Sequence, residues 1–272
     1  IYHQQNKREK PFRALAARTI GYERDGVKPV GLEGAYSATL SGINGRRLMQ
    51  KIAGGVWMPI NDENEIEPKD GADIITTIDL NIQDVAHHAL KRQLEKQSAD
   101  HGCVVLMEVN TGNVKAIVNL TKGADGEYYE LYNYAIGEST EPGSTFKLPA
   151  YMVALEDGYI DIDDTISTGN GKYKFYDTYM YDSREGGYGT LTVKDAFAFS
   201  SNIAVAKIIS KYYSKNPQAF IDRLYKMNLN KPLDIEIFGE GKPQIKSADN
   251  NSWSGISLPW MSHGYEVQQT PL

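Results

Sequence analysis

The sequence predicts an α+β protein, and three observations carry that reading. After Asp79, a residue type suited to capping a helix N-terminus, Ile82, Val85, Ala86, Ala89, Leu90 and Leu94 recur at helical spacing. Two β-rich runs follow over residues 103–109 and 114–120, separated by the turn-forming Asn110-Thr111-Gly112-Asn113. A helix laid on such an antiparallel pair buries both apolar faces. From Ser144 onward the apolar pattern is helical, with long loops between the helices.

Taken in order, residues 1 to about 70 are polar and poorly alternating, with turn signals at Gly31, Gly34, Gly42, Gly45 and Gly54-Gly55. They predict short strands, loops and one short helical stretch around residues 36–40. The acidic run NDENEIEPKDG over residues 61–71 contains Pro68 and reads as an exposed linker at a domain boundary. A strand is expected at 73–78, then the long helix and the hairpin. Further helices are expected at 144–157, 192–199, 203–213 and 217–227. Thr192 with Asp195 three residues on resembles a capping box with Asp in the Glu position. The Tyr-rich stretch 172–188 reads as a loop long enough to suggest function or mobility. There is no internal repeat.

With 272 residues the chain can form one large domain or two modest ones, and 41% apolar content supports a packed core. The formal charge of −6 argues against duplex nucleic-acid binding, which rests on a dense basic footprint. A single cysteine, Cys103, excludes an intrachain disulfide and a multi-thiolate metal site. No window approaches the ~18 apolar residues of a membrane span. The chain starts at Ile1 and is read as a fragment or a processed product, any targeting element lying upstream.

The most informative segment is Glu141-Pro142-Gly143-Ser144-Thr145-Phe146-Lys147. Pro142 and Gly143 break the chain before a helical pattern, which places Ser144 at a helix N-terminus, where unpaired N–H groups favour developing negative charge. Lys147, three residues on, shares its face. A serine hydroxyl needs a base to become nucleophilic, and a lysine serves when its pKa is lowered by desolvation or nearby positive charge. A Ser-x-x-Lys pair also arises by chance about once in a chain of this size, and such a serine is more often a plain N-cap. Ser200-Ser201-Asn202 interrupts two apolar helical runs. It is either a helix–helix turn with its own cap, or a second hydroxyl for proton transfer with an amide to grip a peptide backbone.

Other candidates carry less. His87 and His88 are adjacent on the long helix and point in different directions, and His3, His101 and His263 are scattered. Asp161, Asp163 and Asp164 lack the Gly and Glu of a calcium loop and read as a solvated turn. The 18 tyrosines read mostly as half-buried loop anchors, and Trp253, Trp260 and Met261 as core.

Ser-x-x-Lys after Pro-Gly, followed about 55 residues later by Ser-x-Asn, resembles penicillin-binding proteins and serine β-lactamases. PGSTFKLPAYMVALEDG, LTVKDAFAFSSNIAVAKII and SLPWMSHGYEVQQTPL are similar to class B penicillin-binding proteins, more the division-type (septal) branch than the elongation type. RALAARTIGY and PVGLEGAYSATLSGINGRR resemble the pedestal, or dimerisation-type, domain of that class. The resemblance implies a small β-rich pedestal over residues 1–68 and a transpeptidase domain over 69–272. That domain pairs an antiparallel sheet backed by helices with an all-helical lobe, Ser144 lying at the floor of the cleft between them.

The same resemblance implies that Ser144 is acylated, Lys147 activates it, Ser200 relays a proton to the leaving amine and Asn202 binds the substrate's peptide backbone. Ser201, the variable middle position, receives no role. The implied activity is peptidoglycan D,D-transpeptidation without metal or cofactor. The implied ligands are stem peptides and β-lactam antibiotics. Other division proteins are the implied partners, with a missing N-terminal anchor holding the domain outside the cytoplasmic membrane. The family's Lys-Thr/Ser-Gly motif is absent: Lys246-Ser247-Ala248 has Ala for Gly and precedes the GYEVQQTPL segment. The chain is therefore expected to stop short of that strand and of one oxyanion-hole donor, a loss worth about 10²-fold in rate or more, and to be inactive alone. A serine β-lactamase or β-lactam sensor, and a non-catalytic scaffold of the division complex, are the alternative readings.

Overall fold

A computed structural model of the protein describes residues 9–12, 14–24, 26–60 and 65–272. The described residues up to Ala135, together with Ile235–Gly239, make one compact unit; Ile136–Asp234 and Glu240–Leu272 make another.

The first unit begins with short elements: α1 (Ala17–Ile20), β1 (Tyr22–Arg24), β2 (Val27–Val30), α2 (Gly31–Ala35), α3 (Ser37–Leu40), β3 (Met49–Lys51) and β4 (Trp57–Pro59). β1 pairs with β2 and β3 with β4, both antiparallel. Three short helices stand where one was expected; at four or five residues, α1 and α2 are too short to show a period. Residues 61–64 of the acidic run lie outside the described residues. The remainder is tied down, for Ile66 bridges to Arg46 and Lys69 to Ile43.

No strand forms at 73–78, and Ile75 is 95% exposed. The chain here touches its neighbour at single points, Thr77 Oγ1 donating to Val114 O and the Asp79 N–H to Lys115 O, both at 2.8–2.9 Å, so no ladder develops. Asp79 then caps α4 (Leu80–Gln97), its carboxylate accepting the N–H groups of Asn81 and Ile82. β5 (His101–Met107) and β6 (Val114–Lys122) form the expected hairpin, with β7 (Tyr128–Tyr129) on the far side of β6.

Leu90 and Leu94 pack on Val118, Leu120 and Tyr128. Gly102 permits this approach, because a Cβ there would lie 2.9 Å from the Leu94 side chain. The buried face of α4 differs from the expected one: Val85 and Ala89 are exposed, and Gln83 is fully buried. The Gln83 amide donates to Ile117 O at 2.9 Å and accepts its N–H at 2.8 Å, satisfying both polar groups of a β6 residue on the edge away from β5.

After α5 (Tyr134–Gly137), a 3₁₀ turn at Gly143–Phe146 runs into α6 (Lys147–Glu156). There follow β8 (Thr165–Gly169), β9 (Lys172–Phe175), β10 (Thr178–Tyr181), β11 (Gly189–Thr192), α7 (Val193–Ala198), α8 (Asn202–Tyr213), α9 (Pro217–Lys226), β12 (Gln244–Ile245), α10 (Ser257–Met261) and β13 (Val267–Gln268). α8 is buried almost all round and forms the axis of the core. Around it pack Ala150 and Val153 of α6, Phe220 and Leu224 of α9, and Leu258 and Met261 of α10. Trp253 packs on the margin of this core, and Trp260 against a smaller cluster of Phe175, Met180, Ile203 and Ala206.

The helical lobe also carries three two-stranded ribbons: β8 with β11, β9 with β10, and β12 with β13. The Tyr-rich stretch is thus no simple loop but contains the β9–β10 hairpin, turning at Tyr176-Asp177 with Tyr176 at φ +52°.

Candidate active site

Ser144 lies in the 3₁₀ turn, whose geometry is fixed from both sides. The Gly143 N–H donates to Gly264 O at 3.2 Å, Thr145 Oγ1 donates to Pro142 O at 2.9 Å, and the Glu141 carboxylate accepts the Glu266 N–H at 3.1 Å. The turn leaves Ser144 exposed and sends Lys147, the first residue of α6, inward, where it is 1% exposed. Lys147 Nζ stands 3.1 Å from Ser144 Oγ, 2.9 Å from Ser200 Oγ and 2.6 Å from Ser200 O. Burial lowers the Lys147 pKa to about 8, against the opposing pull of the Asp182 carboxylate.

Ser200 occupies the joint between α7 and α8. Thr192 caps α7 by accepting the Asp195 N–H. At the other end, the Ser200 N–H reaches Phe197 O and the Ser201 N–H reaches Ala196 O, the paired closure of a Schellman motif. That motif puts its closing residue in the left-handed region usually given to glycine, and Ser200 sits there at φ +57°. A serine held at this cost, of order 1–2 kcal/mol, presents its hydroxyl and its carbonyl to the same ammonium.

Ser201, given no role by the sequence, is fully buried and caps α8 through its hydroxyl, which accepts the Ala204 N–H. The same hydroxyl donates to Asp182, whose carboxylate also accepts the Ile203 N–H. The Asn202 side-chain amide donates to Tyr181 O at 2.9 Å, which leaves Oδ1 as its acceptor. The structure therefore joins Ser144, Lys147 and Ser200 directly. Asn202 is placed two residues on at the head of α8, without a hydrogen bond to that group among the described residues.

Sequence reasoning missed Asp182 and His263. Asp182 ends the β10 arm inside a stretch read as loop, 19 positions from the serine it holds. His263 is buried, and burial and the charge of Lys147 lower its pKa to about 4. Lys246 is held by Glu266 at 3.0 Å and Ser257 at 3.4 Å. The three acidic residues at 161–164 hold a turn, the N–H groups of Asp161 and Asp163 bonding to Asp164 and Asp161.

A buried amine between two hydroxyls at the head of a helix, within an α+β fold, defines a serine–lysine site. Residues 102–272 match the penicillin binding protein transpeptidase domain, and the chain belongs to that family. It is 28% identical to the peptidoglycan D,D-transpeptidase FtsI of Buchnera aphidicola subsp. Schizaphis graminum, over 99% of this chain and 46% of the relative. It is 25% identical to the penicillin-binding protein PbpB of Mycobacterium tuberculosis, over 98% of this chain and 40% of the relative. The chain thus spans under half the length of these relatives. The names of these relatives support the class B, division-type reading of the resemblance. The crystal structure of penicillin-binding protein 3 from Mycobacterium tuberculosis superposes with a TM-score of 0.78 at 23% identity, over 98% of this chain and 56% of that one, a likeness of fold.

Proposed function

We propose that the whole protein is a peptidoglycan D,D-transpeptidase that cross-links stem peptides at division and is acylated by β-lactams at the same serine. The observation that carries this reading is the placement of one buried amine 3.1 Å from Ser144 Oγ and 2.9 Å from Ser200 Oγ. Neutral Lys147 takes the Ser144 proton as Oγ attacks the carbonyl of the penultimate D-Ala. The Oγ–C bond forms, the peptide C–N bond breaks, and the departing D-Ala amine receives its proton through Ser200. An amine of a neighbouring stem then attacks the ester, forming the new amide and returning the proton to Ser144. Asn202 Oδ1 accepts from the substrate backbone, and the N–H of Ser144 faces the developing oxyanion. A β-lactam opens on Ser144 in the same way, leaving an ester.

On this reading residues 1–68 belong to a pedestal and 69–272 to the transpeptidase domain. Among the described residues no helix is long and apolar enough to cross a membrane. The reading gives the whole protein an N-terminal anchor with the domain on the outer side of the cytoplasmic membrane, among other division proteins. The test is labelling of the full-length protein with a fluorescent penicillin. Stable labelling that disappears in Ser144→Ala is expected. Rapid turnover would instead indicate a β-lactamase, and absence of labelling a scaffold.

A further inference from the structure

The second unit carries a cleft of about 440 Å³ that shares no residue with the Ser144 site. Lys174 of β9 and Lys207 and Lys211 of α8 stand around it, and among the described residues no carboxylate or carboxamide side chain lines it. The charged side chains of the cleft are thus all positive, opposite in sign to the net charge of −6 of the whole chain. Among the described residues the lysine ion pairs fall elsewhere, at Lys91, Lys115 and Lys246. Lys207 is held in place, donating to Ser167 O at 2.7 Å with its ammonium 4.0 Å from the centre of the Tyr173 ring. Asp182 attracts Lys207 through space, but its oxygens are occupied by Ser201 and the Ile203 N–H. The apolar part of the cleft includes Phe175, Pro217, Trp253, Leu258 and Pro259. Ser210 and Ser214 of the helical wall also line it.

We propose that this cleft docks an acidic peptide segment of a partner protein, an apolar side chain seating against Trp253 and Leu258 and carboxylates on either side meeting the three lysines. The lining selects this class on chemical grounds. Its charged groups only donate, so it suits a ligand rich in acceptors. A neutral glycan, whose hydroxyls both donate and accept, would find no amide or carboxylate side chain there. A single phosphate would call for donors converging on one point; here the amines are spread over a strand and two successive turns of a helix. Lys207 and Lys211 are one helical turn apart, a separation of about 5–6 Å, which matches acidic side chains distributed along a peptide.

The test uses the full-length protein and a fluorescein-labelled peptide, Glu-Asp-Phe-Glu-Asp-Leu, with anisotropy as the readout. Binding is expected to weaken about tenfold in Lys174→Glu and again in Lys211→Glu, two exposed positions. It should also weaken as salt is raised from about 0.05 to 0.5 M. The isosteric Gln-Asn-Phe-Gln-Asn-Leu peptide should not bind. Equal binding of that neutral peptide, indifference to both charge reversals, or absence of binding by the acidic peptide would each overturn the proposal. So would displacement of the peptide by millimolar inorganic phosphate or by a sulfated glycan at lower concentration than by unlabelled peptide. Penicillin labelling of Ser144, measured on the same samples, should be unchanged in both variants. It certifies their folding and keeps this question separate from that of the acyl-transfer chemistry.

Discussion

Gly264 lies so close to Gly143 that a Cβ on Gly264 would come within 1.9 Å of the Gly143 carbonyl oxygen. Gly264 also has φ +91°, a conformation that side-chain-bearing residues rarely adopt. The SHGYE segment therefore acts as a backstop for the turn that presents Ser144. Gly264→Ala must push Gly143 and its neighbour Ser144 away. We expect a stability loss of about 1–3 kcal/mol and a fall of at least about tenfold in the penicillin acylation rate of the full-length protein, since about 1 Å of misplacement is costly at a reacting centre. Thermal melts and acylation kinetics on one preparation check both, and an unchanged acylation rate would show that the contact does not hold the turn.

Lys147 gives the site a pH dependence whose sign is fixed. With a pKa of about 8, about one lysine in ten is neutral at pH 7. Acylation should rise about tenfold per unit below pH 8 and level off above it. Stability follows the same group. The unfolded lysine keeps its proton up to its ordinary pKa near 10.5, while the folded one loses it above about 8. The unfolded state thus binds more protons between these values, and stability contributed by this group rises with pH across that window. Below pH 8 both states are protonated and the penalty of burying the charge is constant. The melting temperature of wild type relative to Lys147→Met should therefore be flat below pH 8 and climb above it; a fall would contradict the assignment.

The parts of the protein that were legible in the sequence are those whose signals are local. α4 and its Asp79 cap, the β5–β6 hairpin and the Ser144–Lys147 pair all depend on residues within a turn or two of each other. Gln83 interrupts the apolar face of α4 and looks solvent-facing, yet its amide satisfies a β6 residue 34 positions away. The β9–β10 hairpin is concealed because its turn uses Tyr176 in a conformation usually given to Gly or Asn. Ser200 could be related to Lys147 only through family resemblance, since 53 residues separate them. Asp182 and His263 carry no spacing signal at all, and folding alone brings them to the site.

Asp182 holds the Ser201 hydroxyl and the Ile203 N–H while raising the pKa of Lys147 by its charge. Asp182→Asn keeps the volume but removes the charge and one acceptor oxygen. We expect a loss of about 1.5–3 kcal/mol in stability, the range for a hydrogen bond to a charged group. The pH profile of acylation should shift toward lower pH, because the neutral amine is favoured when the neighbouring negative charge is gone. A purely structural role would lower stability and leave the midpoint of the profile where it was. The two outcomes separate when acylation rates are followed from pH 6 to 9.

Ser200 combines two properties that a pair of substitutions can divide. Its hydroxyl faces Lys147 Nζ at 2.9 Å, and its backbone is left-handed at φ +57°. Ser200→Gly removes the hydroxyl and relieves the backbone, whereas Ser200→Ala removes the hydroxyl and keeps the strain. Both should acylate more slowly than wild type by about 10²-fold or more, the scale of a proton-transfer group. They should differ in stability, the Gly variant exceeding the Ala variant by about 1 kcal/mol. Equal acylation defects with unequal melting temperatures would place the chemistry in the hydroxyl and the energetic cost in the Schellman closure. If Ser200→Gly acylated as fast as wild type, the proton would have to reach the leaving group by another path, and the role given to this serine would fail.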